Sequence, residues 1–412
     1  MEVCHIETLG ERIRKLRKQQ KLTLEALAGD ELTKGMLSLI ENNKANPSMD
    51  SLSYIANRLG VEVSVLLEEV STQELRDVLE KAERLYHTEF DDLTDEYEQL
   101  ITLVNPYVEK LTQGYESARL LEMYSRCLHQ EKKDGWQYYS DKAAAIYEQL
   151  NIIPRRASIG IFRALTKFTT HDYAKSLEIL LLERSEIEAN NAYIEPMTRL
   201  DFDYMEAILH YAVGDSESAL QVMKSGIKFS KEKQVFYRID HLYRLAAAHA
   251  MMKQDDDNYA YYIKKLTQYG DFADDKNALF FARFAEIHYL NSYKKSFKEA
   301  NLLLNVILNK GDYSKEYGPF LNLEQGKSLF GLSEFEPALD FLKRVTISDY
   351  IHHPFDLSIF YEKEAYEALC HQELGNHTEA RRLIQIAVDN ISRMPHSPYK
   401  DFIMKTYSLL TK

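Results

Sequence analysis

Six segments of this 412-residue chain repeat one pattern at intervals near forty residues, and that period constrains the fold more than any other feature. The clearest unit is LEQGKSLFGLSEFEPALDFLKRV, with Gly326, Leu329, Leu332, Phe335, Ala338, Leu342 and Val345. EALCHQELGNHTEARRLIQIAV places Leu374, Gly375, His377, Ala380, Ile384 and Ala387 at the same offsets, and EAILHYAVGDSESALQVMKSGI does so with Ala207, Val213, Gly214, Ala219 and Gly226. Weaker copies surround Ser176, Ala260 and Ala300, so the equivalent positions 176, 219, 260, 300, 338 and 380 lie 43, 41, 40, 38 and 42 apart. The small residue belongs where two helices cross closely, and the Gly or short polar residue five positions earlier belongs in the turn between them. Such a chain stacks helix pairs, each burying its apolar face against its neighbours.

Composition agrees with an all-α fold. The 15 glycines and 9 prolines are too few for a turn-rich β architecture or a disordered chain, and 45% hydrophobic residues suffice for a large core. No stretch approaches the ~20 apolar residues that span a bilayer, so no membrane partner is expected. Met1 to Arg14 carries Glu2, Glu7, Glu11, Arg12 and Arg14 without an apolar stretch, and the three cysteines, Cys4, Cys127 and Cys370, are scattered; both point to a cytoplasmic location. Charge is uneven. Residues 1–70 hold nine Lys/Arg and eleven Asp/Glu, so most of the formal net charge of −13 falls on the remainder, an acidic body that repels nucleic acid. Arg12, Arg14, Lys15, Arg17, Lys18 and Lys21 nevertheless cluster within ten residues, a basic footprint that phosphates attract.

The first seventy residues read as short helices. Leu9, Ile13 and Leu16 repeat at helical spacing; Thr23 caps a helix carrying Leu24, Leu27 and Ala28; Thr33 caps one with Met36, Leu37 and Ile40; Leu52, Ile55, Ala56 and Leu59 form a fourth that Gly60 stops; Val61, Val63, Val65 and Leu66 suggest a fifth. The string LGERIRKLRKQQKLTLEALA, followed by TKGMLSLIENNKANPSMDSLSYIANRLGV, resembles the phage-repressor type (XRE) helix-turn-helix. That resemblance implies that the third helix enters the major groove of double-stranded DNA, with Thr33, Lys34, Gly35, Ser38 and Leu39 at base-reading positions. It also implies that Arg17 pairs with Glu41. Arg17, Thr23, Asn43 and Lys44 complete the expected DNA contact set. Leu24 stands where that family usually has a phosphate-touching Gln, and Gly35 and Leu39 offer no side-chain hydrogen bonds to bases, so direct readout rests on Lys34 and Ser38.

The expected domains are 1–68, the DNA-binding module; 69–109, a helical linker carrying Leu75, Val78, Leu79, Ala82, Leu85 and Tyr86; and 110–412, the repeats. A further degenerate helix pair is expected around Trp136 to Leu150. The repeats resemble tetratricopeptide (TPR) units stretched beyond their usual ~34 residues, which implies a right-handed TPR-like α-solenoid whose first helices line a concave groove. Tyr204, Tyr211, Arg244, Tyr289, Asn322 and Lys327 are the inward positions, aromatic anchors mixed with amide and cationic groups suited to a peptide's backbone and carboxylate. The order of parts is similar to the RRNPP family of peptide-pheromone receptors, most like its NprR and PlcR branches. This similarity implies a short signalling peptide in the groove, a homodimer or higher oligomer, and switched DNA binding. Another reading keeps the array as an interaction surface that docks or inhibits a protein such as a response-regulator component.

No H-E-x-x-H, C-x-x-C, G-x-S-x-G or G-x-G-x-x-G occurs, so no catalytic residue, metal ligand or cofactor is expected. Gln325 to Ser328, QGKS, lacks the first glycine of a phosphate loop and falls within a repeat helix. His352 and His353 precede Pro354 and read as solvated loop histidines rather than a metal pair. His241 and His249, eight apart on one helix, read as core or groove packing.

Overall fold

The computed structural model of the protein describes residues 8–67, 72–88, 93–311 and 317–412. Cys4, Glu2, Glu7 and the expected boundary at 68 and 69 lie outside the described residues. Every regular element among the described residues is helical, and the chain divides into two compact units, 1–159 and 160–412.

The first unit opens with α1 (Leu9–Gln19), α2 (Leu24–Ala28), α3 (Lys34–Glu41), α4 (Met49–Leu59) and α5 (Val63–Leu67). Side-chain oxygens start four of them: Thr8 accepts from the Glu11 N–H in a reciprocal capping box, and Thr23, Thr33 and Ser48 accept from Ala26, Met36 and Ser51. Ile13, Leu27, Leu37, Ile40, Leu52, Ile55 and Leu59 form one core, the apolar positions that periodicity marks. Gly10 lets α1 approach α3, because a Cβ there would lie 2.1 Å from the Ile40 carbonyl oxygen. α6 (Thr72–Tyr86), α7 (Glu96–Val104), α8 (Gly114–Gln130) and α9 (Trp136–Gln149) share a second core with Val78, Ala82, Leu100, Leu121, Ala143 and Tyr147. α6 carries Leu75, Val78, Leu79, Ala82, Leu85 and Tyr86 into this core, and the span from Trp136 to Leu150, expected to hold a degenerate helix pair, holds the single helix α9, which packs on α8.

The division between units falls inside α10 (Ile153–Phe168). There follow α11 (Tyr173–Asn190), α12 (Pro196–Ala212), α13 (Ser216–Lys233), α14 (Ile239–Met252), α15 (Asp256–Ala273), α16 (Lys276–Tyr289), α17 (Phe297–Lys310), α18 (Gly318–Gly331), α19 (Phe335–Leu342), α20 (Pro354–Phe360), α21 (Glu362–Glu373), α22 (His377–Ile391) and α23 (Pro398–Leu410). α12 with α13, α14 with α15, α16 with α17, α18 with α19 and α21 with α22 are successive helix pairs; the end of α10 meets α11, where Ser176 Oγ donates to the Ala164 carbonyl at 2.7 Å.

One turn joins the helices of all six pairs. His171, Gly214, Gln254, Lys295, Ser333 and Gly375 adopt positive φ between 54° and 87°. The next residue, Asp172, Asp215, Asp255, Ser296, Glu334 or Asn376, begins the second helix, and its carbonyl accepts from the N–H of Ser176, Ala219, Tyr259, Ala300, Ala338 or Ala380. This corrects the third repeat: the equivalent position is Tyr259, which is buried, while Ala260 is exposed. Position 260 attracts attention because small residues dominate the other units, yet the bulky Tyr259 is seated there against the Tyr289 ring at 4.3 Å.

Between α19 and α21 the chain leaves the repeat. Tyr173 Oη donates to the His352 carbonyl at 2.7 Å, and His353 Nε2 donates to the Ile208 carbonyl at 3.2 Å. His352 and His353 are thus packed against earlier helices and are not the solvated loop pair that the sequence suggests.

Candidate functional site

The helix-turn-helix presents α3 with Leu37 and Ile40 buried and Lys34, Gly35, Met36 and Leu39 exposed. Lys34, about three-fifths exposed, pairs its ammonium with the Glu25 carboxylate on α2. That pairing holds Glu25 below the usual carboxylate range, chiefly through the Lys34 hydrogen bond. Gly35 has open space around it, and Ser38 is half-buried, its carbonyl accepting from Asn42 Nδ2 at 2.7 Å. Thr23 and Thr33 are exposed caps, and Lys44 is exposed beyond α3. Met36 and Asn42 join this surface; Met36 is exposed beside Leu39, where apolar groups can meet thymine methyls.

Two expected DNA contacts also tie the helices of the module together. Arg17 is buried and forked onto Glu41, with Nε–Oε1 at 2.6 Å and Nη2–Oε2 at 2.8 Å, while Nη1 donates to the Leu22 carbonyl at 2.8 Å. The Glu41 hydrogen bond outweighs burial and raises the guanidinium above its ordinary pKa. Arg17 is therefore a brace between α1 and α3, as the family resemblance implies. Asn43, at φ 54°, accepts from the Gly10 N–H at 3.0 Å and donates to Thr8 Oγ1 at 2.6 Å, tying the end of α3 to the start of α1. Arg12 is buried too and donates to the Leu66 carbonyl at 2.7 Å. The basic footprint on the surface is thus Arg14, Lys15, Lys18 and Lys21.

In the second unit, Tyr204, Tyr211 and Arg244 lie together on α12 and α14. The Tyr204 ring meets His241 at 5.0 Å with the Arg238 guanidinium over it at 5.5 Å. Tyr211 meets His249 at 5.8 Å, and both the Tyr211 hydroxyl and His249 Nδ1 are buried without a hydrogen-bond partner among the described residues. Arg244 lies over Phe281 at 5.0 Å and 3.6 Å from Asp240, with Nε unmatched. His241 and His249, read from the sequence as packing residues, are the ring partners of Tyr204 and Tyr211, and burial lowers both imidazoles' pKa values. Tyr289 is buried between Tyr259 and Tyr293, its hydroxyl donating to Asp256, and Asn322 is half-buried on α18.

Lys327 is a correction. It has no exposed surface and is ion-paired with Glu324 at 3.1 Å and Glu362 at 2.5 Å, with Ser292 Oγ at 3.1 Å. Its charge is committed to an interior network in which Glu324 also meets His288 Nδ1 at 2.7 Å and Asn291 Nδ2 at 2.9 Å, and His288 Nε2 meets the Tyr399 hydroxyl at 2.8 Å. A groove ligand does not reach this ammonium. The QGKS segment that contains it lies inside α18, as its failure to match a phosphate loop requires. Among the described residues no cluster of three or more metal-ligating side chains occurs, and no helix is long and apolar enough to cross a membrane.

These features define an all-α chain with an N-terminal helix-turn-helix domain and a helical-repeat unit. Residues 10–71 match the helix-turn-helix domain family. The chain is 40% identical over 63 residues to the immunity repressor protein of Bacillus phage phi105, a match spanning 15% of this chain and 44% of that protein. Several solved structures are similar to it. Bacillus thuringiensis PlcR in complex with the peptide PapR7 and DNA aligns at 18% identity and TM-score 0.34, covering 65% of this chain and 96% of that one. The competence regulator ComR of Streptococcus vestibularis, with its cognate signalling peptide XIP, aligns at 17% identity and TM-score 0.39, covering 68% and 97%. The Streptococcus dysgalactiae SHP pheromone receptor Rgg2 aligns at 14% identity and TM-score 0.30, covering 67% and 98%.

Proposed function

We propose that this protein is a cytoplasmic transcriptional regulator, without enzymatic activity, that binds double-stranded DNA through α3 and a short signalling peptide through α12 and α14. The peptide alters DNA binding or oligomeric state. The observation that carries the peptide reading is the set of unmatched polar groups on one pair of neighbouring helices: Tyr211 Oη, His249 Nδ1 and Arg244 Nε. Buried polar groups normally find partners, and a peptide backbone supplies both donors and acceptors. Tyr204 and Asn322 extend this surface, and the buried Tyr289 and Lys327 are withdrawn from it.

The switch follows from linkage. A ligand that binds one arrangement of the repeats more tightly shifts the population toward it, and in a homodimer this alters the spacing of two DNA-reading heads relative to two half-sites. The test is recovery of sheared genomic DNA by the purified protein, with and without peptide extracted from spent culture medium. A recovered palindromic site whose yield changes with the extract is expected, and Arg244→Ala should abolish that change without abolishing DNA recovery. DNA recovery indifferent to the extract would remove the peptide from the reading.

A further inference from the structure

In a stack where helix pairs meet their neighbours, contacts across 145 and 179 positions are exceptions, and both involve the segment between α19 and α21. That segment is gripped as a bound peptide would be. Its backbone carbonyl at His352 accepts from Tyr173, and the His352 ring stands edge-on to Phe168 at 6.3 Å and His171 at 5.6 Å. His353 accepts the Phe355 N–H on Nδ1 at 3.1 Å and donates from Nε2 to Ile208 on α12, which fixes one neutral tautomer. Phe355 then packs into the cluster of Ala247, Met251, Tyr259 and Tyr289 and meets Tyr399 at 5.6 Å, and Phe360 lies on Phe320 at 4.3 Å. A backbone carbonyl and an imidazole fix the stretch before α20 by hydrogen bonds, and rings of that one helical turn fill pockets, which is how a short peptide is held in a groove.

The fit is incomplete. Beside α20 there remains a cavity of about 80 Å³ between α14, α16 and α18, lined mainly by Ala248, Phe281, Phe284 and Ala285 and reaching Asp356. Asp356 makes no hydrogen bond or ion pair among the described residues, and burial pushes its carboxyl up to about 6. Tyr259, which also lines the cavity, is only 7% exposed and its hydroxyl has no hydrogen-bond partner among the described residues. An ionised carboxylate facing an apolar cavity and an orphaned phenol both weaken the seat, so the segment is held by specific contacts without being optimised.

We propose that residues 350–360 are an intramolecular ligand of the faces of α12, α14, α16 and α18, which an incoming peptide must displace. The chemistry of the segment names the class of ligand: a short peptide that presents imidazole or aromatic rings ahead of one apolar helical turn. This rests on the peptide-receptor reading for the identity of the displacing molecule, but the occupancy itself is tested without it.

The probe is a synthetic peptide of residues 350–360, YIHHPFDLSIF, and the receptor is the full chain with residues 351–358 replaced by a Gly/Ser linker of equal length. The variant should bind the peptide saturably and gain melting temperature with it. The intact protein should bind at least ~10-fold more weakly, because its own segment competes at the high effective concentration of a tethered ligand. Equal affinity for both proteins, or no binding by a variant with native helix content, overturns the proposal. Should the replacement fail to fold, Tyr173→Phe in the intact chain replaces it. Amide exchange should then quicken over 350–358 but not in α21 or α22, and unchanged exchange overturns the proposal. A spent-medium extract without effect on DNA recovery would remove the peptide-receptor reading and leave the trans-binding result standing.

Discussion

Lys34 and Arg17 carry the same charge within one small domain and have opposite duties, decided by exposure. Arg17 is buried against Glu41, so Arg17→Ala strands a buried carboxylate and should cost about 3 kcal/mol, read as earlier melting of the helix-turn-helix in amide exchange. Lys34 and Glu25 are both exposed, and such a pair contributes little to stability. Its effect is on binding: Glu25→Gln releases the ammonium and removes a repelling charge, so operator DNA should bind several-fold more tightly at low salt. Fluorescence anisotropy at two salt concentrations checks this, and an unchanged affinity would show that Glu25 does not restrain Lys34. Asp356 offers a pH-dependent case. Its folded pKa, about 6, lies above the ~3.9 of an unfolded Asp, so its favourable contribution is full below pH ~4 and is lost as pH rises through 6. Asp356→Asn should therefore raise the melting temperature at pH 7.5, and the gain should shrink on acidification and vanish below pH 4. A gain independent of pH would assign the effect to packing.

The elements show what was legible in the sequence. Helix starts at Thr23 and Thr33 and the apolar face of α4 follow from capping and periodicity, and the forty-residue period follows from small residues that permit close crossings. Hidden were features that depend on distant partners. The positive-φ turn residue is glycine only at Gly214 and Gly375, while His171, Gln254, Lys295 and Ser333 are held there by the cap that follows, so the turn carries no uniform residue signal. Tyr259 hides the third repeat because its space comes from Ala247 and Ala250 on the facing helix. Lys327 reads as a groove-lining cation until Glu362, thirty-five residues later, is seen to fold against it. The seat of residues 350–360 on α12 has no local pattern at all. The element-scale prediction concerns Tyr259→Phe. Removing a buried hydroxyl that has no hydrogen-bond partner among the described residues should raise the stability of the second unit by about 1 kcal/mol, measured by denaturant melting, since the ring contact with Tyr289 is kept. A loss of stability would mean that the hydroxyl is satisfied by water.

At the scale of the whole repeat unit, α16, α18, α21 and α23 are joined by charge as well as by packing. His288, Glu324, Lys327, Glu362 and Tyr399 come from these four helices and are all buried. Burial alone pushes the Glu324 carboxyl up, but Lys327 and His288 outweigh it, with hydrogen bonds from His288 and Asn291, and hold it at about 2. An unfolded Glu titrates near ~4.3. The folded value is the lower one, so the contribution to stability is full above pH ~4.3 and is lost as pH falls through 2. Lys327→Met removes the cation paired with two buried carboxylates, Glu324 and Glu362, and the variant should unfold about 3–5 kcal/mol more readily at pH 7. Below pH ~4 the wild type progressively loses what the ion pair supplied, whereas the variant's Glu324 is already protonated and has nothing further to lose. The gap in unfolding free energy should therefore narrow between pH 4 and pH 2. Urea melts of both proteins across that range, followed by far-ultraviolet circular dichroism, measure it. A gap of constant size would show that Lys327 stabilises the four helices by filling space and not by its charge.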